Sequence, residues 1–531
     1  MTLQHDPGAS SADAPDAPAR AAEPLPPAPG RAAAVPDGFP VDAFQEDPEN
    51  VVVTAPAGSL RGRRRADGTI TFFGIPFAEA PVGMLRFQPP MPRARWSGIR
   101  EARFHGATPL RAELPGTFIP EPAIPGDDVL NVDVFTPSTD PAAALPVLVF
   151  FHGGGFTAGS PASPWYDGGA FNRDGVVTVN VSYRLGLDGF GWIEDAPANR
   201  AVLDWLLALE WVQGNIRAFG GDPSRVTIAG QSAGAAAVLT LLGMPRARGL
   251  FRAAWSMSGL DAGVAPERAE RIGRALAALG GVEPTVAGFS SLSPERIAKL
   301  ETEAAAGGLK PTAATRELLD DGPGFAPTID GDLIPHGILE AARRGLGAGI
   351  PLVLTATDDE FAKLFDAHRG ALRFLPKSWM LRRLGIPRRR RRDWVADNAG
   401  LRGGTAGWAG RYVSDRVFRA FALELAEVRG PAKTWLARFA WRSRAQRKRA
   451  VHCSDLPFFF DRLAADGVAA ALGPNPPTML AGALHADAVA FVHQLDPGWP
   501  KYSPRNAEVE VFDAPLPETV HDGFGSVRAL T

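Results

Sequence analysis

Leu145–Phe151 and Val176–Val181 are continuous apolar runs rich in β-branched residues, with no polar residue at alternate positions to face water. Strands of this kind must be covered on both faces. Helical stretches separate them from others like them. In Asn199–Phe219, Val202, Leu206, Leu209 and Ile216 recur at helical spacing, and Gly220-Gly221 ends the pattern. Arg225–Ala229 is another buried strand, Ala235–Leu242 a helix ending at Gly243, and Phe251–Ser256 and Pro351–Thr355 are further strands. Strands alternating with helices require a mostly parallel sheet with helices on both faces. Upstream, Val51–Thr54, Ser59–Arg65, Thr69–Ile75 and Leu130–Phe135 are short strands divided by Gly and Pro turns. Their antiparallel pattern makes the sheet mixed, within the α/β class.

Composition narrows the function. Lys+Arg is 56 and Asp+Glu is 58, a formal net charge of -2, whereas dedicated nucleic-acid binders draw their affinity from excess positive charge. No apolar stretch is long enough to span a bilayer. One cysteine, Cys453, rules out an intrachain disulfide and an all-cysteine metal site, and makes the cytoplasm the expected location. Residues 1–50 are rich in Pro and Ala, and the first 38 hold no aromatic residue. This segment reads as a disordered tail ahead of one large ordered domain over 51–531. Residues 361–450 are helical in composition, carry several tryptophans and the run Arg388–Arg392, and read as a helical cap with a solvated arginine face.

Chemistry enters at Gly230-Gln231-Ser232-Ala233-Gly234. G-x-S-x-G between a buried strand and a small-residue helix is the strand–turn–helix of a nucleophile elbow, a sharp turn that lifts the serine hydroxyl above the sheet. The flanking glycines are required where side chains would collide. A serine needs a base to take its proton and fixed donors for the oxyanion that forms. Gly153-Gly154-Gly155, directly after Phe151-His152, supplies backbone N–H groups; Gly154 and Gly155, with Ala233 after the nucleophile, form the expected oxyanion hole. His152 precedes the serine and reads as a residue that fixes the loop.

With these residues in place, the chain resembles the type-B carboxylesterase family, relatives of the cholinesterases within the α/β-hydrolase fold. Besides the two glycine motifs, the matching stretches are Gly74–Ala78, Pro81-Val82-Gly83 with Leu85-Arg86-Phe87, Leu130–Val134, Tyr183–Gly186, and Asn215-Ile216 leading to Phe219–Pro223. The resemblance implies a large mixed sheet flanked by helices, a helical cap, and a Ser–Glu–His triad in that chain order. It places the acid at Glu360, with Asp358 and Asp359 as rivals, and the base at His452, whose Asp455-Leu456-Pro457-Phe458 context fits better than His368, His485, His493 or His521. It implies hydrolysis of a small-molecule ester through an acyl-enzyme, a mechanism that requires no cofactor or metal; the near-neutral charge and the short apolar stretches leave no nucleic-acid or membrane partner expected. Amide, carbamate or lipid hydrolysis would use the same triad, and non-catalytic binding relatives also exist.

The chain departs from the pattern in places. Gln231 stands where many relatives have Glu, Phe361 follows the acid where Gly is usual, and Val129 replaces an early cysteine. The resemblance further implies an Arg86–Asp127 ion pair and a hydrogen bond from Ser258 to the acid, while Cys453, with no basic partner of its own, reads as a buried small residue rather than a nucleophile.

Overall fold

The structure is a computed structural model that describes residues 49–111, 117–306 and 311–531. The Pro/Ala-rich segment expected over 1–50 lies, apart from Glu49 and Asn50, outside the described residues.

Thirteen strands among the described residues form one sheet. They are β1 (Asn50–Ala55), β2 (Gly58–Arg64), β3 (Ile70–Pro76), β4 (Ile99–Glu101), β5 (Asn131–Thr136), β6 (Leu145–Phe151), β7 (Val177–Val181), β8 (Gly221–Gln231), β9 (Ala253–Met257), β10 (Leu352–Thr357), β11 (Thr434–Phe439), β12 (Glu508–Phe512) and β13 (Glu518–His521). Their spatial order is β1-β2-β3-β5-β7-β6-β8-β9-β10-β11-β12-β13, with β4 beside β2. From β7 through β12 every neighbouring pair is parallel. Antiparallel pairs occupy both flanks, β1 to β5 on one side and β13 on the other. The sheet is thus mixed and mostly parallel at its centre, as the apolar runs require.

The central strands follow from their residues. β6, β7, β9 and β10 are buried along essentially their whole length, which only a sheet covered on both faces permits. One cover is the helix Arg200–Asn215, which buries Val202, Trp205, Leu206, Leu209 and Val212. A 3-10 turn, Ile216–Phe219, then ends at Gly220 with φ 73°, a left-handed stop. The other face meets Phe458, Phe459, Phe460 and the helix Thr478–Gln494, together with Trp255 and Trp435.

Two features differ from expectation. Residues 361–450 are not helical throughout: β11, with Trp435 buried, belongs to the central sheet, and β12 and β13 follow it near the C-terminus. Thr434–Phe439 mixes Arg438 into a short apolar run, so periodicity alone does not separate it from the helices before it. The early charges also pair differently. Arg86 pairs with Asp188 at 3.4 Å, while Asp128, not Asp127, binds Arg93 at 3.3 Å and Arg100 at 2.8 Å.

Beyond the C-terminal end of β10 lies a cluster of buried charges. Asp415 accepts from Arg411 Nε at 2.8 Å, from Arg419 Nη1 at 2.6 Å and from Trp394 Nε1 at 3.0 Å. Asp358 is held by the Arg438 guanidinium through two parallel bonds of 2.9 and 2.8 Å. Asp415 and Arg419 sit in a π-helical turn, Asp415–Arg419, inside a longer helix, a local geometry frequent at functional sites. Removing one member of such a cluster leaves the others charged and unpaired in a dry interior. Asp415→Ala is expected to lower unfolding stability in urea by about 3–5 kcal/mol; a loss below about 1 kcal/mol would show that the cluster is not held together by its charges.

Candidate active site

Ser232 follows β8 and precedes the helix Ala233–Gly243. Its φ of 57° and ψ of -120° lie outside the regions an L-residue normally occupies, the strain that a nucleophile elbow stores. The surroundings over-determine this conformation. Ser232 N–H donates to Met257 O at 2.9 Å, and Ala236 N–H donates to Ser232 O at 2.9 Å. The helix behind the turn can approach only because it begins with small residues: a Cβ on Gly234 would stand 2.0 Å from Phe151 O.

The glycine loop after β6 packs directly against this elbow. A Cβ on Gly153 would lie 3.2 Å from Ser232 Cβ. Gly154 takes φ 117°, and a side chain there would run into Ala158 O at 2.1 Å. Among the described residues, the backbone N–H groups of Gly154, Gly155 and Ala233 donate to no protein acceptor. The three expected donors are thus unspent. His152 is buried, donates from Nδ1 to Gly153 O at 2.8 Å and stacks on Tyr183, whose hydroxyl donates to His152 O at 2.7 Å. Burial pulls its pKa down to about 4, so it remains a neutral residue that fixes the loop.

The acid turn sorts three consecutive carboxylates. Asp358 is taken by Arg438, and Arg438, Arg419 and Arg411 together hold its pKa below the ordinary carboxylate range despite burial. Asp359 accepts from Ala450 N–H at 3.2 Å and lies 3.7 Å from Arg411. Glu360 alone reaches a histidine, with its Oε2 hydrogen-bonded to His452 Nδ1, while Thr357 N–H donates to its Oε1 at 2.8 Å. Backbone bonds fasten the two segments together: Asp359 N–H to Ala450 O at 2.8 Å and His452 N–H to Glu360 O at 3.1 Å. The other histidines lie elsewhere. His368 is exposed on the turn Asp366–His368, His485 and His493 bond around Asp174, and His521 donates to Asn506 O.

Sequence reading missed several partners of His452. The Gln231 side-chain nitrogen lies 3.2 Å from His452 Nε2. An amide N–H donates there, so Nε2 accepts and Nδ1 carries the proton given to Glu360. No hydrogen bond joins Ser232 Oγ to His452; the elbow meets the imidazole through Gln231. The rings of Phe361 and Phe418 stand 5.2 and 5.0 Å from the imidazole and 4.9 Å from each other. Phe361, where Gly was expected, donates its N–H to Ser414 Oγ at 2.9 Å, so the departure places an aromatic wall beside the histidine. Asp455 is buried, its Oδ1 unpaired among the described residues; burial, with Glu360 close by, pushes its pKa up to about 7. The hydroxyl of Ser258, expected to bond the acid, is buried without a partner among the described residues.

The model of the carboxylesterase family matches residues 49–378. The chain belongs to the carboxylesterase family. This carboxylesterase is 31% identical to the para-nitrobenzyl esterase of Bacillus subtilis over 491 residues, which is 88% of this chain and 95% of that one. It is also 31% identical to the phenmedipham hydrolase of Pseudarthrobacter oxydans over 463 residues, 83% of this chain and 89% of the relative. Among solved structures, a carboxylesterase of Geobacillus stearothermophilus superimposes with a TM-score of 0.78 at 31% identity, covering 90% of this chain and 99% of that chain. The fold is therefore that of the α/β-hydrolases, and the activity class is carboxylic-ester hydrolysis by a serine hydrolase.

Cys453 lies next to His452 with φ 68°. Burial raises its thiol pKa above the ordinary value of 9.0, outweighing the pull of the imidazole. The thiol form is a weak nucleophile. Alkylation of the folded carboxylesterase by iodoacetamide is expected to be slow at neutral pH and to climb steeply only above pH ~9. Rapid labelling at neutral pH, read by mass spectrometry, would show an activated thiolate instead.

Proposed function

We propose that this carboxylesterase cleaves small carboxylic esters through an acyl-enzyme on Ser232, with His452 as the base and Glu360 as the residue that orients it. The observation that carries the reading is the Glu360–His452 hydrogen bond, closed from Nδ1 beside a strained serine elbow. With Nδ1–H given to the carboxylate, Nε2 presents a lone pair toward the elbow and can take the serine proton. The Ser232–His452 hydrogen bond forms when substrate displaces the Gln231 amide from Nε2, as catalytic hydrogen bonds often tighten only in the bound complex.

In the first half-reaction, Ser232 Oγ attacks the ester carbonyl and its proton passes to His452 Nε2. The carbonyl oxygen becomes an oxyanion held by the N–H groups of Gly154, Gly155 and Ala233. His452 then gives the proton to the departing alcohol, leaving the acyl group on Ser232. In the second, water gives a proton to the same nitrogen, attacks the acyl carbon, and Ser232 leaves with the proton returned. Glu360 stabilises the imidazolium in both. No step draws on a metal or organic cofactor. Phe361 and Phe418 beside the imidazole favour esters with an apolar group near the scissile bond. Gln231, neutral where an acid would attract cations, favours uncharged substrates. The catalytic domain spans 51–531, and the single cysteine suits a cytoplasmic setting.

Ser232→Ala is expected to lower hydrolysis of a p-nitrophenyl ester by about 10⁴-fold or more while the unfolding curve is unchanged; retained activity would remove Ser232 from the mechanism. The pH dependence follows from His452. Burial opposes its charging, but the Glu360 carboxylate on Nδ1 raises its pKa above 6.5. The base must be neutral, so kcat/KM is expected to fall as pH drops through this raised pKa, with an acidic limb above pH 6.5. Glu360→Gln is expected to cut kcat and move that limb to lower pH; an unmoved limb would mean that another group titrates.

A further inference from the structure

Ten cations and no carboxylate occupy the 24 residues from Arg369 to Arg392, in a chain whose formal net charge is -2. The segment forms three short helices, Arg369–Leu372, Lys377–Arg383 and Arg388–Asp397. Their inner sides hold Leu372, Met380, Leu381, Leu384, Ile386 and Trp394 in the core. What remains outside is not simply a solvated basic face. Phe374 is 75% exposed, Leu364 46%, Trp379 40% and Leu375 36%, and all seven residues from Arg373 to Trp379 are exposed. The cations sit among these apolar tips: the Arg373 guanidinium lies 4.5 Å from the Phe374 ring centroid and that of Arg383 lies 5.7 Å from Trp379.

The second and third helices share a depression of ≈ 780 Å³, lined by Lys377, Arg388, Arg389, Arg391 and Arg392 and by no acidic side chain. Neighbouring carboxylates neutralise little of this charge. Asp366 pairs with Arg369 at 3.3 Å and Asp393 with Arg392 at 3.2 Å. The arginine run occupies the first turn of the helix Arg388–Asp397, where the helix dipole is positive and no acidic residue balances it. Like charges are thus concentrated where they repel one another and the helix itself, next to aromatic side chains that gain nothing from water.

We propose that Leu364–Arg392 is a docking surface for an anionic lipid bilayer. Arginines and lysines around exposed Phe, Leu and Trp are the combination that binds the membrane interface: the apolar tips enter the headgroup–acyl boundary and the cations meet lipid phosphates. A duplex nucleic acid would use the cations but leave Phe374 and Leu375 in water. Among the described residues no helix is long and apolar enough to cross a membrane, so the association is peripheral. The expectation of no membrane partner rested on the lack of a bilayer-spanning apolar stretch, and that of a merely solvated arginine face on whole-chain charge, which averages this patch away.

The test is co-sedimentation of the full chain with vesicles. Binding is expected to vesicles holding about 30 mol% phosphatidylglycerol and not to pure phosphatidylcholine, and to weaken about ten-fold or more between ~0.1 and ~0.5 M salt. Each cation near the surface contributes about five-fold to partitioning. The combined variant R388Q/R389Q/R391Q/R392Q is therefore expected to lose roughly a hundred-fold or more. F374A/W379A, with all charges kept, is expected to lose several-fold, which a purely electrostatic patch would not. Unchanged p-nitrophenyl ester hydrolysis shows that the variants are folded. No preference of the wild-type chain for anionic vesicles, tighter binding to a DNA duplex at equal salt, or insensitivity to F374A/W379A would each overturn the proposal.

Discussion

The buried ion cluster at the end of β10 is the constraint on which the candidate site depends. Asp415 binds Arg411 and Arg419, and Asp358 binds Arg438. Charges in a dry interior tolerate no loose ends, because each unpaired member costs its full desolvation. The cluster therefore fixes the turn Asp358-Asp359-Glu360 from behind. Two of the three carboxylates are consumed in doing so, and Glu360 is left to face the other way, toward His452. Arg411 spans both sides of the arrangement, 2.8 Å from Asp415 and 3.7 Å from Asp359.

The nucleophile side is fixed differently, by backbone geometry. Ser232 is held in a left-handed conformation between a buried strand and a helix whose first residues are small enough to approach it. The glycine loop after β6 closes on the same point. Rigid elements carry both halves: parallel strands β6, β8 and β10 deliver the loop, the elbow and the acid turn to one end of the sheet, the crevice at strand carboxyl ends where open α/β sheets place their sites. Gln231 and the rings of Phe361 and Phe418 then define the surroundings of the imidazole. The departures from the family pattern at 231 and 361 thus fall on two of the side chains that touch the proposed base, which is where substrate preference would be set.

Much of this was legible before any coordinates. Leu145–Phe151 has the same ends as β6, and the elbow stood out because a motif of common residues sat between a buried strand and a small-residue helix. Glu360 and His452 were harder. Three adjacent acids and five later histidines look alike in sequence, and only resemblance singled out one of each. β11 was missed because a short run containing Arg438 does not announce a strand. The Arg86–Asp127 pair and the Ser258 bond were carried over from relatives, and the side chains at those positions found other surroundings here.

The sequence by itself determined what local patterns can determine: a mixed sheet with a buried parallel centre, a strained serine turn, and a loop whose glycines free backbone N–H groups. Those features follow from the periodicity of apolar residues and from where a Cβ would collide. Tertiary structure decided which carboxylate meets which histidine, because that choice rests on charges from Arg411, Arg419 and Arg438, far along the chain from Asp358. It also decided which apolar residues stay outside. In the segment 369–392, Leu372, Met380 and Leu381 enter the core while Phe374 and Trp379 remain in water, a division that hydrophobicity alone does not make, since it depends on which side of each short helix the rest of the molecule covers.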